Sequence, residues 1–425
     1  MNNIPETIKA ALNLARKHGG KQGLNCIAEL DKTVLKQATS LKANHAEQPL
    51  PLCGVPVLVK DNIDVRGLHT TAGSLALSDN VAAEDAPVIR NLRRKGAVIL
   101  GKTNMTEFAN YTTDDMPAGY SSRGGQVIHA AHPSLSPSGS SSGSAVAVAA
   151  GIVPMAVGTD TSFSVVACAQ ANGICGLKPP AGALSPEGII PISITLDSAG
   201  SMAKNLTDTL SLYSAMRNEP LPPLAPAPAS SLRIAVNTAN TELVSEGQLT
   251  FLMQAVSSLE KGGAYTEHIR QMPTPYQRII MQWEFRPHLE AYLRTSGASR
   301  KTLADIIAFY EAHPRKMMKY GITLLKKACD ETPGGLQGTP YLEALEQRKN
   351  AREATVRKLQ DYDAVIMTGP TNIMHFCGLP SLCIAGAQTG DYGVRRGLIL
   401  YGADELRLYR AALAVEKLLH HTVLQ

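Results

Sequence analysis

The chain has 425 residues, 44% hydrophobic and 18% charged, a balance that excludes a disordered chain and allows a large core. Only 5% of residues are aromatic, there is one Trp, and the net charge of +5 is gathered nowhere beyond Arg93-Arg94-Lys95 and Lys326-Lys327, so nucleic acid is excluded as a partner. No apolar run reaches the roughly 18 residues a bilayer requires. The start, MNNIPETIKAALNLARKHGG, lacks a secretory pattern. The seven cysteines lack CxxC spacing and the histidines form no HxxxH or HExxH pair, which predicts a cytoplasmic protein without a metal.

Helical periodicity (Ile8, Leu12, Ala15; Ile27, Leu30, Val34, Leu35) predicts two opening helices over residues 5–18 and 24–43. The run VPVLVK, closed by Asp, Asn and Gly, predicts a strand and turn. Lys60 lies inside it, where a buried ammonium is costly unless paired or neutralised. On this local pattern alone it reads as a strand-end lysine reaching solvent. Residues 86–95 read as a helix, with Pro87 in the first turn and Asp85 before it. GAVILGKT follows and fits the phosphate-loop pattern letter for letter. Its variable residues, Ala-Val-Ile-Leu, belong to a strand and not to a loop with free N–H groups, which argues against a nucleotide.

A helix starting near Thr106 leads to a long irregular passage over residues 114–138, of a length that is usually functional. The pattern then predicts a slender helix over 142–151, a strand over 152–157, a turn over 158–164 and a second small-residue helix over 167–176. After a loop with a short strand, 207–216 is helical, and the proline-rich stretch 219–231 is the best linker candidate. A strand (232–236) and a helix (246–261) follow, then a largely helical region, 276–360. The end returns to strands at 364–367, 382–385 and 397–400, and to a helix at 405–420.

Hydroxyl groups concentrate in SLSPSGSSSGSAVAVAAGIVPMAVGTDTSFS, residues 134–164. Within it, Gly139-Ser140-Ser141-Ser142-Gly143 matches G-x-S-x-G, a nucleophile elbow with Ser141 as nucleophile. That elbow needs a strand before it, and HPSLSPS has two prolines and no strand pattern. Another reading rests on four separated blocks: GVPVLVKDNIDVRG, GAVILGKTNMTEFANY, SPSGSSSGSAVAVAAG and VGTDTSFSVVACAQANGICGLKP. In these, and in later segments such as GIIPISITLDSAGSMAKN and GVRRGLILYG, the chain resembles amidase signature family hydrolases. The likeness runs from about residue 5 to the C-terminus and is nearest the branch that includes peptide amidases.

The resemblance implies an α/β fold: a single α/β/α domain over 1–425 with a large mixed β-sheet covered by helices. It places a signature core at 50–215 and makes the helical region 276–360 a cap over the active site. It implies Lys60 as catalytic lysine, Ser140 as bridging serine in a cis peptide after Gly139, and Ser164 as acyl-forming nucleophile. Backbone N–H groups of Thr161, Ser162 and Phe163 would form the oxyanion hole. Asp115, Met116, Gly139 and Phe163 are the expected substrate contacts, with Asp114 beside them. The reaction implied is hydrolysis of a carboxylic amide, releasing ammonia or an amine, with no cofactor. The partners implied are a small-molecule or peptide amide, neither nucleic acid nor membrane, with a homodimer allowed.

The physical logic agrees. A serine hydroxyl is a weak nucleophile without an adjacent base, and no His–Asp pair is marked near this stretch. A lysine serves only when neutral, and lowering it from about 10.4 to about 7 takes roughly 4–5 kcal/mol of differential destabilisation. The valines around Lys60 then read as a desolvating wall. Three departures from the family stand out: Ser162-Phe163 where a glycine pair is common, Val166 where many members carry Arg, and Ser138 for a glycine. Phe163 does not readily take positive φ, and its ring is expected toward the acyl pocket. Two further readings stay open, an amidotransferase-type subunit passing ammonia to a partner and a catalytically impaired binding protein. Trp283, Glu284 and Arg286 read as packing or funnel residues, and His375 as structural.

Overall fold

The computed structural model describes residues 3–44 and 50–421. Its first strands are β1 (Ile27–Leu30), β2 (Pro56–Lys60) and β3 (Val98–Thr103), followed by a separate hairpin of β4 (Tyr120–Ser121) and β5 (Gly125–Gln126). Then come β6 (Met155–Asp160), β7 (Cys175–Lys178), β8 (Ser198–Ala203), β9 (Arg233–Asn237) and β10 (Tyr265–Ile269). The last are β11 (Ala364–Met367), β12 (Ser381–Thr389) and β13 (Arg395–Tyr401). Apart from the hairpin they form one 11-stranded sheet, in the order β1-β3-β2-β6-β8-β7-β12-β13-β11-β9-β10. β2 runs parallel to both neighbours, β3 and β6, and β9 runs parallel to β10 and β11. Between β6 and β11 every pairing is antiparallel.

Side chains alternate across a strand, and β2 uses both faces. Val57 and Val59 join the core under the helices Pro87–Arg94, Leu206–Met216, Glu246–Lys261 and Glu405–His421. Leu58 faces the other way, with the helices Ile4–His18, Ser142–Ala149 and Val166–Ala171. Lys60 shares that second face. The expected α/β/α layering and large mixed sheet are therefore present. A third cluster joins the helices of the 276–360 region to loops of the main body. Phe285, Leu289, Leu303, Ile306 and Tyr310 pack there on Met105, Phe108 and Ile192.

Several elements differ from the expectation. Residues 24–43 are not one helix: β1 is followed by the helix Val34–Asn44. β1 pairs antiparallel with β3, and Gly101 makes this possible, since a Cβ there would lie 2.1 Å from the Glu29 carbonyl oxygen. The GAVILGKT segment is indeed strand, and the Lys102 amine donates to Ile63 O, His69 O and Thr70 Oγ1 at 2.6, 2.9 and 3.0 Å. The predicted helix over 167–176 is a helix, Val166–Ala171, then β7. The chain turns between them at Gly173, whose φ of +65° suits glycine. Residues 107–110 form an irregular turn in place of an α-helix, with Phe108, Ala109 and Asn110 at φ of +45°, +54° and +71°. The edge strand β10 was not expected, because YTEHI is polar and mostly exposed.

Phe285 is fully buried where the 276–360 region meets the main body. Phe285→Ala should lower the unfolding free energy by about 3–5 kcal/mol, read as a fall in the urea midpoint. A loss below about 1 kcal/mol would mean that this region is not docked through the cluster.

Candidate active site

Lys60 ends β2 and has no exposed surface. Its Nζ lies 2.7 Å from Ser140 Oγ, 2.8 Å from Thr159 Oγ1 and 3.2 Å from the Thr159 carbonyl oxygen. Ser140 Oγ is in turn 3.0 Å from Ser164 Oγ. Burial pushes the Lys60 amine down to about 8, against the opposing pull of Cys168, Asp160 and Asp197. Nζ donates to all three oxygens, and Ser140 Oγ donates on to Ser164 Oγ. The carbonyl can only accept, so an amine that loses one proton keeps its N–H groups on Thr159 and turns its lone pair toward the Ser140 hydroxyl.

Local structure fixes each serine. The Gly139–Ser140 peptide is cis, as the resemblance implied, and the Ser140 carbonyl accepts the Thr106 N–H at 3.1 Å. A Cβ on Gly139 would lie 2.5 Å from Thr106 Oγ1. Ser141 is buried, and its hydroxyl donates to Thr159 O at 3.1 Å while accepting the Thr159 N–H. No strand precedes it, so the elbow reading fails on geometry. The Ser141 N–H donates to the Ser164 carbonyl at 3.2 Å, which joins the two serine segments directly.

The turn carrying Ser164 is held from four sides. Thr161 Oγ1 donates to Asp197 Oδ1 at 2.5 Å, and Asp197 Oδ2 accepts the N–H groups of Ile192 and Ser193. Burial pushes the Asp197 carboxyl up to about 7 in spite of these donors. Asp160 Oδ2 accepts the Val165 and Val166 N–H groups at 2.7 and 3.3 Å. Gln277 Nε2 donates to the Thr161 carbonyl at 3.2 Å, and the Phe163 N–H donates to His375 Nε2 at 3.0 Å.

Phe163 departs from the expectation in two ways. It takes φ +69°, a region that disfavours a Cβ by about 1–2 kcal/mol. Its ring packs on His375, with centroids 4.4 Å apart, and does not line the cleft. Its N–H is also committed to His375 and so is not free for an oxyanion. The N–H groups of Thr161, Ser162 and Ser164 donate to no acceptor among the described residues.

Ser164 opens into a cleft of about 340 Å³, walled by Gly139, Thr161, Ser162, Gln277 and Met281, with Asp114, Arg278 and Lys327 also lining it. Asp115 and Met116 do not line it: Asp115 is exposed and Met116 is buried, while Asp114 is the loop carboxylate on the cleft, 3.3 Å from Arg278. Adjacent residues of an irregular loop face different ways, and no periodicity in the sequence marks which one turns inward. Trp283 and Glu284 are buried, and Glu284 accepts from Ser193, Thr195 and Tyr341. Arg286 pairs with Glu290, so none of these three lines the cleft. No His/Cys/Asp/Glu group among the described residues has the arrangement of a metal site, and no helix there is long and apolar enough to cross a membrane.

Fold and site together are those of an amide hydrolase. The family model described as Amidase matches residues 8–376, and the chain belongs to that family, the amidase signature hydrolases. A protein of Arabidopsis thaliana named as a probable amidase is 31% identical over 416 residues, covering 90% of this chain and 78% of its own. The structure of native peptide amidase from Stenotrophomonas maltophilia superposes with a TM-score of 0.88 at 32% identity, across 98% of this chain and 94% of that one. A glutamyl-tRNA(Gln) amidotransferase component of Deinococcus radiodurans is 40% identical over 188 residues, 44% of this chain and 38% of its own.

Asp160→Ala would strand two buried N–H groups beneath the turn. It should lower the unfolding free energy by about 3 kcal/mol, measured by urea denaturation. An unchanged midpoint would show that other acceptors replace the carboxylate.

Proposed function

We propose that this chain hydrolyses carboxylic amides, C-terminal amides of peptides among them, through an acyl-enzyme on Ser164. The observation that carries the reading is the unbroken line from Lys60 Nζ to Ser140 Oγ at 2.7 Å and on to Ser164 Oγ at 3.0 Å, ending at the cleft. Neutral Lys60 takes the Ser140 proton, and Ser140 takes that of Ser164 as Ser164 Oγ bonds to the substrate carbonyl carbon. The oxyanion so formed is stabilised by the N–H groups of Thr161, Ser162 and Ser164. As the C–N bond breaks, Ser140 passes its proton to the leaving nitrogen and regains one from Lys60. Water then attacks the ester, giving its proton to Ser140 and so to Lys60, and the same line returns it to Ser164 Oγ as the acyl C–O bond breaks and the acid leaves.

Full-length similarity to a peptide amidase supports this reading over an amidotransferase component, whose likeness covers less than half of either chain. The intact line of three groups argues against an impaired binding protein, although Ser162-Phe163 replaces small residues.

Ser164→Ala and Lys60→Met should each lower kcat/KM for N-acetylphenylalaninamide by about 10³-fold or more, with ammonia release as the readout. Ser141→Ala should leave activity within about threefold, since its hydroxyl serves Thr159. Loss of turnover in Ser141→Ala with retention in Ser164→Ala would sink the assignment. Because Lys60 acts as a base only when neutral and burial sets it near 8, kcat/KM should rise with pH through a midpoint near 8. A profile flat from pH 6 to 10 would count against Lys60 as the base.

A further inference from the structure

Gln277 lies in the first turn of the helix Tyr276–Thr295 and is 2% exposed, on the wall of the cleft that holds Ser164. Chemistry fixes the orientation of its carboxamide. The group 3.2 Å away is the Thr161 carbonyl, which only accepts, so the atom facing it is Nε2. Oε1 is then left without a hydrogen-bond partner among the described residues. Neighbours on the same wall are served differently: Arg278 pairs with Asp114, and Asn372 exchanges two hydrogen bonds with the Thr274 backbone. A buried carboxamide oxygen without a donor is unfavourable, and a donor brought by an occupant of the cleft relieves it.

We propose that Gln277 is a specificity-determining residue whose Oε1 accepts a hydrogen bond from a substrate N–H adjacent to the scissile carbonyl. The inference rests on the amide-hydrolysis reading above. One side chain would then do two things. Nε2 holds the Thr161–Ser162 peptide, while Oε1 places the substrate relative to that same peptide and hence to Ser164. A site built around such an acceptor discriminates against a substrate of the same shape that lacks the donor. A peptide amide offers two such donors, the backbone N–H on the acyl side and the N–H of the leaving carboxamide.

The test measures ammonia or dimethylamine release by wild-type and Gln277→Met protein from three probes. These are N-acetylphenylalaninamide, O-acetyl-3-phenyllactamide, in which an ester oxygen replaces the acyl-side N–H, and the dimethylamide of N-acetylphenylalanine. On the first probe Gln277→Met should lower kcat/KM about 10- to 100-fold. On the probe lacking the N–H that Gln277 reads, the loss should be smaller by about fivefold or more, because only the part due to the freed Thr161 carbonyl, common to all three probes, remains. A smaller loss on the ester analogue assigns the acyl-side N–H, and a smaller loss on the dimethylamide assigns the carboxamide. Equal losses on all three probes, or no loss on any, overturn the inference and leave Gln277 as a support for the turn. Gln277→Asn, one methylene shorter and still polar, serves if the Met variant does not fold, with the same pattern expected. Absence of release from every probe by wild-type protein would instead remove the peptide-amide reading, and this inference with it.

Discussion

A lysine amine sealed away from water at the end of a β-strand constrains everything near it. Transfer of an ammonium into such a place is costly, and burial holds the Lys60 amine well below the usual lysine range. Its Nζ donates to two oxygens of one threonine and to one serine hydroxyl, with no carboxylate in hydrogen-bond contact. The sheet supplies the depth. Lys60 sits on a parallel strand with neighbours on both sides, under two slender helices whose small side chains let the serine segments close over it. Gly143 shows how tight that closure is, since a Cβ there would lie 2.3 Å from the Asn104 carbonyl oxygen.

Around this line runs a second layer of buried polar groups whose business is the backbone. Asp160, Asp197, Gln277 and His375 come from a strand, a loop, the first turn of a long helix and a short helix. Each takes hold of a different group of the turn between residues 161 and 166. A turn fixed by four separate elements keeps its N–H groups aimed without help from substrate, which is the arrangement electrostatic stabilisation of an oxyanion needs. The helical region 276–360 contributes through Gln277, and Glu284 ties the same helix to the 193–195 loop that Asp197 also holds. The cleft wall and the turn are thus parts of one assembly.

How much of this was legible in the sequence depended on the kind of signal. Strands such as β11 stood out as short unbroken apolar runs, and helices such as Glu246–Lys261 because their buried side chains repeat with the period of the element. β1 and β10 did not, since edge strands with polar residues carry little alternation, and β1 is set by Gly101 on the neighbouring strand. Lys60, Ser140 and Ser164 were found by resemblance. Locally Lys60 looks like a lysine reaching solvent, and nothing in its neighbourhood points to a serine eighty residues on. The supports are harder still to read. Asp160 and Asp197 lie in segments that carry the resemblance but have no role marked there, His375 reads as structural without a partner, and Gln277 has no local signal at all. Each is defined by a contact across long sequence separation with a backbone group, and backbone groups leave no trace in the letters. Phe163 shows the reverse, a residue whose intrinsic preference was overridden by one hydrogen bond and one ring contact.

The depth of Lys60 also governs traffic. With no surface open to solvent, the amine is joined to the cleft through Ser140 and Ser164, and Ser164 faces that cleft. When substrate fills the cleft, that exit is occupied by the reacting amide itself. A proton withdrawn from Ser164 in the proposed cycle therefore returns through the Ser140 hydroxyl to the departing nitrogen, since Ser164 Oγ is by then bonded to carbon. In that cycle one line of groups serves both half-reactions, delivering a proton to the amine that leaves and taking one from the water that enters.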